Sequence, residues 1–162
     1  TEAFGELIRH NTQELSRVSY YFLRNNEETQ EIVQDTVLKA FENLKSFNTD
    51  YRFKPWIMRI CANLSKNRLK KITRVNFVEI NETSGSEDND PAVNAEKNDI
   101  NEILNKQISN IDSRERVVLE MYYHEGYSVN QISEVLEVPA GTVKSRLFRA
   151  REILRSNLEE IL

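Results

Sequence analysis

The side chains best suited to binding another macromolecule lie near the end of the sequence. One side of a predicted helix there carries basic and hydrogen-bonding residues and one aromatic ring: Lys144, Ser145, Phe148 and Arg149, with Arg146 and Arg151 on the flanks. Arginine and lysine donate hydrogen bonds to guanine edges or to phosphates, and an aromatic ring can contact a thymine methyl group. The pattern favours a helix that enters the major groove of DNA, although it also fits a solvated basic helix packed on a small bundle.

The residues around this helix predict the element that must position it, a helix-turn-helix over residues 127–154. Ser128 and Gln131 have the spacing of a capping box. Pro139 and Gly141 predict a turn over residues 138–141, with Thr142 at the start of the second helix. Apolar residues give each helix one buried face: Ile132, Val135 and Leu136 in the first, and Val143, Leu147, Ala150 and Leu154 in the second.

A second candidate binding surface lies in the middle of the chain. Trp56, Ile60, Asn63 and Asn67 follow helical spacing in a helix predicted from Pro55 to about Ile72. Amides can hydrogen-bond base edges, and the neighbouring cations can bind phosphates, so this helix could hold unpaired nucleotides. The cations are Lys66, Arg68, Lys70 and Lys71. The alternative is that Trp56 and Ile60 belong to the core, which we favour for Trp56, while the amides are merely solvated.

Two further helical stretches are predicted at the start of the chain. The first contains apolar residues at helical spacing, forms one or two amphipathic helices, and ends near residues 24–26. The second has a predicted core face of Val33, Val37, Ala40, Phe41 and Leu44. Its other face carries Gln34, Asp35, Leu38, Lys39 and Glu42, and periodicity alone predicts that this face is simply solvated.

Composition and charge place these helices in two small domains of an all-α protein. The chain has 162 residues, few Gly and Pro, and a formal net charge of -4. The charge is segregated, with a basic stretch over residues 51–78 and an acidic one over residues 79–102. We predict a first domain over residues 1–72, a flexible acidic linker over residues 73–98 around TSGSEDNDP, and a four-helix domain over residues 99–162, in which Asp112 and Glu115 have capping-box spacing.

Other classes of function fit poorly. The chain lacks HExxH and P-loop patterns, and His10, His124 and the single Cys61 have no partner motif, so we expect no catalytic site, metal or cofactor. No apolar run is long enough to span a membrane, and the lone cysteine indicates a reducing cytosol. The remaining alternatives are a stand-alone regulator that binds duplex DNA, typically as a dimer on a palindrome, and an adaptor for another helical protein.

Three stretches in this order resemble the bacterial RNA polymerase sigma factors of the extracytoplasmic-function type. EIVQDTVLKAFENLKSF, from Glu31 to Phe47, resembles the polymerase-binding helix of that family. FKPWIMRICANLSKNRLKK, from Phe53 to Lys71, resembles its promoter-melting helix, and VPAGTVKSRLFRAREIL resembles the helix that reads the upstream promoter element. The resemblance implies a transcription initiation factor that has two helical domains, lacks catalytic activity and acts in the cytoplasm.

The resemblance also implies roles for individual residues. It assigns core polymerase binding to Gln34, Asp35, Leu38, Lys39 and Glu42, and capture of melted "minus ten" bases to Asn63, Lys66, Asn67, Lys70 and Lys71. It assigns the duplex "minus thirty-five" element to Thr142, Lys144, Ser145, Arg146, Phe148 and Arg149. The loop over residues 47–54, whose sequence departs from the one most common in the family, would shape the base pocket. The implied partners are core RNA polymerase, duplex and single-stranded promoter DNA, and an anti-sigma factor as a candidate.

Overall fold

Seven α-helices and one short 3-10 helix make up the described part of the computed structural model, which covers residues 2–50, 52–82 and 99–161. The α-helices are α1 (Glu2–Leu23), α2 (Asn26–Glu42), α3 (Phe53–Glu82), α4 (Asp99–Ser109), α5 (Ser113–Tyr123), α6 (Val129–Leu136) and α7 (Ala140–Ile161), with the 3-10 helix at Leu44–Ser46. The prediction of an all-α fold is confirmed. None of the described helices is long and apolar enough to cross a membrane.

Helices α1, α2 and α3 pack against one another and form the N-terminal unit. Their shared core contains Leu15, Val18, Ile32, Ile57 and Met58, all almost completely buried. The predicted core face of α2 is partly wrong. Phe41 is 57% exposed, while Thr29, Ile32 and Thr36 are buried. The error has a local cause, because Thr36 donates its hydroxyl to the carbonyl of Ile32, and this bond lets a polar residue replace an apolar one inside.

Helix α3 continues ten residues beyond its predicted end. It runs to Glu82, so residues 73–82 of the predicted linker are helical, and the remainder, residues 83–98, lies outside the described residues. Nothing in residues 73–82 stops a helix, since they include neither Gly nor Pro. The polarity of the predicted linker was therefore a poor guide to the end of α3.

Helices α4 to α7 form the C-terminal unit. The first turn of α5 in this unit differs from the predicted capping box. The carboxylate of Asp112 caps α5 by accepting a hydrogen bond from the backbone N–H of Arg114 at 3.1 Å. Glu115 instead accepts a hydrogen bond from Arg149 on α7 at 3.2 Å. His124 lies at the C-cap of α5, where its N–H donates to the carbonyl of Glu120.

The helix-turn-helix is formed by α6 and α7. Its predicted capping box is confirmed, because Ser128 Oγ accepts from the N–H of Gln131 at 3.1 Å and the Gln131 amide oxygen accepts from the N–H of Ser128 at 2.8 Å. Two details of the turn were predicted wrongly. The left-handed residue is Glu137, at φ 55°, just before the predicted turn over residues 138–141, and α7 begins at Ala140 rather than Thr142. The N–H groups of Thr142 and Val143 donate to the carbonyl of Pro139.

The two units pack on each other, α1 against α5 and α3 against α6. Arg116 is the buried centre of this contact. It donates to the carbonyls of Tyr21 and Phe22 in the last turn of α1, each at 2.9 Å, and to the carbonyl of Ile111 at 3.1 Å. The final carbonyls of a helix have no partner within it, so a guanidinium from the other unit satisfies them.

Candidate nucleic-acid and polymerase interface

The recognition surface of α7 points away from the C-terminal unit. Val143, Leu147 and Ala150 are buried beneath it, as the sequence predicted. Above them lie the exposed residues Lys144, Ser145, Phe148 and Arg149, and the half-buried Thr142 and Arg146. The Phe148 ring is 63% exposed, so it has no role in the core.

Two residues of this surface are held in place by neighbours. Ser145 donates its hydroxyl to the carbonyl of Gly141 at 3.0 Å, which leaves its lone pairs outward. The guanidinium of Arg149 is oriented by the carboxylate of Glu115, whose side chain is only 13% exposed. A long side chain that is already ordered loses less conformational entropy when it binds a ligand.

The candidate residues on α3 are exposed but do not all face the same way. Asn63, Lys66 and Lys70 line a cleft between the two units, while Asn67 and Lys71 are exposed outside it. Their neighbour Arg68 is occupied within the N-terminal unit. Its guanidinium donates to Glu31 at 2.7 Å and to Glu28, and it lies 3.6 Å from Asp35. The hydrogen bonds to Glu31 and Glu28, chiefly the one to Glu31, raise the pKa of Arg68.

An aromatic cluster lies at the start of α3. The rings of Phe47 and Trp56 have centroids 4.8 Å apart, and Phe53 lies 5.9 Å from Phe47 and 5.6 Å from Trp56. Trp56 is half-buried and packs against the core, as favoured from the sequence. The cluster fixes the loop over residues 47–50 to the start of α3, where the base pocket was predicted.

All five residues of the predicted polymerase-binding face of α2 are exposed: Gln34, Asp35, Leu38, Lys39 and Glu42. Leu38 is 61% exposed. Sequence reasoning missed Phe41, which is also exposed and whose ring packs 5.9 Å from that of Phe4. Helical periodicity placed Phe41 inside, and the signal that could have corrected it was the alternative face formed by Thr29, Ile32, Thr36 and Ala40.

A polar network between the units was not foreseen from the sequence. Glu125 accepts hydrogen bonds from Arg17 and Tyr21, and Glu14 accepts one from Tyr127 at 2.7 Å and forms an ion pair with Lys54 at 2.9 Å. Burial and the hydrogen bond to Glu125 raise the pKa of Tyr21. These partners are separated by more than a hundred residues, except Lys54 and Glu14, so no local pattern signals them.

Both units match sigma-70 region families. The family described as "Sigma-70 region 2" matches residues 7–75, and "Sigma-70, region 4" matches residues 101–154, so together they cover most of the chain and contain every candidate binding residue. The chain belongs to the sigma-70 family. Sigma factors are transcription initiation factors and not enzymes.

Similar proteins agree with this membership and with the extracytoplasmic-function type. The sigma factor is 26% identical to the ECF RNA polymerase sigma factor SigW of Bacillus subtilis, over 99% of this chain and 91% of that protein. It is 27% identical to the ECF RNA polymerase sigma-E factor of Haemophilus influenzae, over 99% of this chain and 90% of that protein. Its fold matches that of the sigma factor RpoE of Bartonella quintana, solved in complex with the anti-sigma factor NepR, with a TM-score of 0.75, 20% identity, and 98% of each chain covered.

Proposed function

We propose that this protein binds core RNA polymerase and directs it to promoters that carry two elements. The observation that carries the proposal is that matches to sigma-70 regions 2 and 4 occur in order in one chain, each with an exposed set of predicted binding residues. Core polymerase and promoter DNA are then the main partners, and the bacterial cytoplasm is the place of action.

The upstream element is read by α7. Lys144, Arg146 and Arg149 supply donors for phosphates and guanine edges, and Phe148 supplies an exposed ring for a thymine methyl group or sugar. The apolar side of α7 is packed against the rest of the C-terminal unit, so the docked helix is held rigidly. A rigid recognition helix can set the register of the duplex against the whole protein.

Melted bases of the downstream element are held by the N-terminal unit. Asn63 and Asn67 can hydrogen-bond base edges, Lys66, Lys70 and Lys71 can neutralise phosphates, and the loop beside Phe47 and Trp56 supplies the wall of a pocket. Base capture of this kind contributes about 1–3 kcal/mol per base. The protein alone therefore binds promoters weakly, and polymerase linked to the exposed face of α2 supplies the second attachment.

Promoter binding also requires the two units to separate. Asn63 and Arg146, predicted to read different elements, line the same cleft. A duplex rises about 3.4 Å per base pair, so two elements even about ten base pairs apart are about 34 Å from each other. A protein partner that holds the units together would oppose initiation. The similar RpoE was solved with an anti-sigma factor, which supports an anti-sigma factor as a partner for this chain.

The test is transcription in vitro with purified bacterial core polymerase, this protein and a genomic promoter library, with sequencing of transcript starts. We expect starts that share two upstream elements and that appear only when the protein is added. The controls are core polymerase alone and core polymerase mixed with buffer that lacks the protein. Absence of specific starts, together with no complex with core on a sizing column, would favour a stand-alone DNA-binding regulator instead.

A further inference from the structure

The cleft between the units has a shape and size suited to a small ligand. Its volume is about 570 Å³. The N-terminal unit contributes Asn63, Lys66 and Lys70 from α3, and the C-terminal unit contributes Arg114 from the first turn of α5 and Arg146 from α7. Pockets for small molecules and cofactors are usually about 300–1,000 Å³ in volume. The cleft is therefore large enough for a ligand that touches both units at once.

The charge of the cleft is strongly unbalanced. Five basic side chains line it against one carboxylate: Lys66, Lys70, Arg74, Arg114 and Arg146 against Asp112. That carboxylate is already engaged as the cap of α5 and lies 3.6 Å from Arg114 Nε. Within the described residues, Lys66, Lys70 and Arg146 form no ion pair. Cations gathered in a concave surface concentrate the positive potential and attract anions.

The floor of the cleft is apolar. Phe22, Ala62 and Val117 lie there and are 7%, 3% and 2% exposed, with Leu69, Leu136 and Val138 around them. A simple phosphate ion would leave this floor uncovered. A planar ring can cover it, and the Asn63 amide at its edge offers both a donor and an acceptor to ring heteroatoms.

We propose that this cleft binds a nucleoside polyphosphate. The ring lies on the apolar floor beside Asn63, and the phosphate chain lies among the basic side chains, where arginine can bind phosphate oxygens in pairs. Because such a ligand contacts α3 together with α5 and α7, it binds the packed arrangement of the units better than a separated one. By linkage, it stabilises that arrangement.

One consequence rests on the proposed function. The ligand would occupy Asn63, Lys66, Lys70 and Arg146, which are also the residues predicted to contact promoter DNA. A bound nucleotide would then compete with the promoter and hold the units together, so the concentration of nucleotide would set the fraction of protein able to initiate. Binding itself does not depend on this consequence and is measured without polymerase or DNA.

The experiment is titration calorimetry of the whole chain with ATP, GTP and inorganic tripolyphosphate. We expect saturable binding of one nucleotide per chain, at least about tenfold tighter than tripolyphosphate, because only the nucleotides cover the apolar floor. The doubly substituted variant Arg74→Ala, Arg114→Ala should bind nucleotide at least about tenfold more weakly. Neither residue belongs to the predicted promoter-reading sets. Arg9→Ala, an exposed arginine on α1, should bind like the unchanged protein.

Three results would overturn the proposal. They are the absence of saturable binding, equal affinity for tripolyphosphate and nucleotides, and unchanged affinity in the doubly substituted variant. The second result would reassign the cleft to inorganic polyphosphate. Circular dichroism of each variant shows whether it is folded, and failure of the transcription test would leave all of these measurements unaffected.

Discussion

Arg17 on α1 and Glu125 after α5 form a two-bonded ion pair that joins the units. Arg17 Nε lies 2.7 Å from Glu125 Oε1 and Nη2 lies 3.1 Å from Oε2. The Glu125 side chain is only 4% exposed and also accepts a hydrogen bond from Tyr21, whereas Arg17 is half in solvent. The carboxylate is thus the buried member, and its loss should be felt in the packing of the units.

Replacing Glu125 should weaken that packing measurably. Hydrogen bonds to charged groups contribute about 1.5–3 kcal/mol, so we expect Glu125→Gln to lower the free energy of unfolding by about 1–3 kcal/mol in urea titrations. Adding Arg17→Met should cost little more, since its partner is already gone. Glu152→Gln, which removes a carboxylate paired with Arg155 on the exposed side of α7, is the matched control. Additive effects of the Glu125 and Arg17 changes would contradict the pairing.

The same carboxylate predicts a loss of stability in acid. Burial alone would raise the pKa of Glu125, but the hydrogen bonds from Arg17 and Tyr21 outweigh it and hold the pKa below its ordinary value of 4.5. Because the pKa of Glu125 is lower in the folded protein than in the unfolded chain, its ionised carboxylate stabilises the folded state above pH 4.5. That contribution is lost as pH falls through the folded-state pKa. The stability difference between the unchanged protein and Glu125→Gln should therefore be constant near neutral pH and shrink below pH 4.5. A constant difference down to the acid limit of folding would refute this assignment.

These contacts also mark the limit of what the sequence could predict. The capping box of Ser128 and Gln131 and the apolar stripe of Val143 and Leu147 were predictable because their partners are three or four residues away. The partners of Glu125, and the two α1 carbonyls that Arg116 binds, are nearly a hundred or more residues distant, and only the packing of the units brings them together.

The residues of the candidate site also divide into those that local spacing predicts and those that depend on packing. Helical periodicity correctly predicted that Leu38 and Lys144 are exposed, because each lies on the side of its helix opposite the buried residues. It failed for Phe41, where Thr36 took an inner position by bonding to its own helix. It also gave no sign that Asn63 and Arg146 line one cleft, because that depends on how two separate units pack.

Leu38 should contribute to polymerase binding without contributing to stability. It is 61% exposed on the predicted polymerase-binding face, so Leu38→Ser removes little buried surface. An apolar anchor at an interface commonly contributes about 1–2 kcal/mol, which corresponds to a roughly 5- to 30-fold weaker affinity for core polymerase. Fluorescence anisotropy with labelled protein measures this. Leu7→Ser, at an exposed leucine on α1, should leave the affinity unchanged.

Asn63 should act at promoter opening. Asn63→Ala removes the amide predicted to hold a melted base, so open-complex formation should fall by about 5- to 150-fold, the equivalent of about 1–3 kcal/mol. Permanganate footprinting of unpaired thymines on a promoter found by the transcript screen measures this. Binding to core polymerase should not change, and Asn76→Ala, also exposed on α3, serves as the control. Equal loss of opening in both variants would remove Asn63 from the base-reading set.

Arg149 should contribute to sequence recognition, whereas Lys144 should contribute mainly to affinity. Glu115 already orients Arg149, and a directional contact with a base edge requires an oriented side chain. Arg149→Ala should therefore cost about 1–3 kcal/mol of binding free energy on the preferred upstream element and much less on a scrambled one. Lys144→Ala should weaken both promoters about equally and reduce the salt dependence of binding by about one phosphate contact. Arg155→Ala, farther along α7, is the control for the lost charge. Transcription by the holoenzyme from matched and scrambled promoters separates the two effects. If the unchanged protein transcribes both promoters equally, α7 does not read the upstream element.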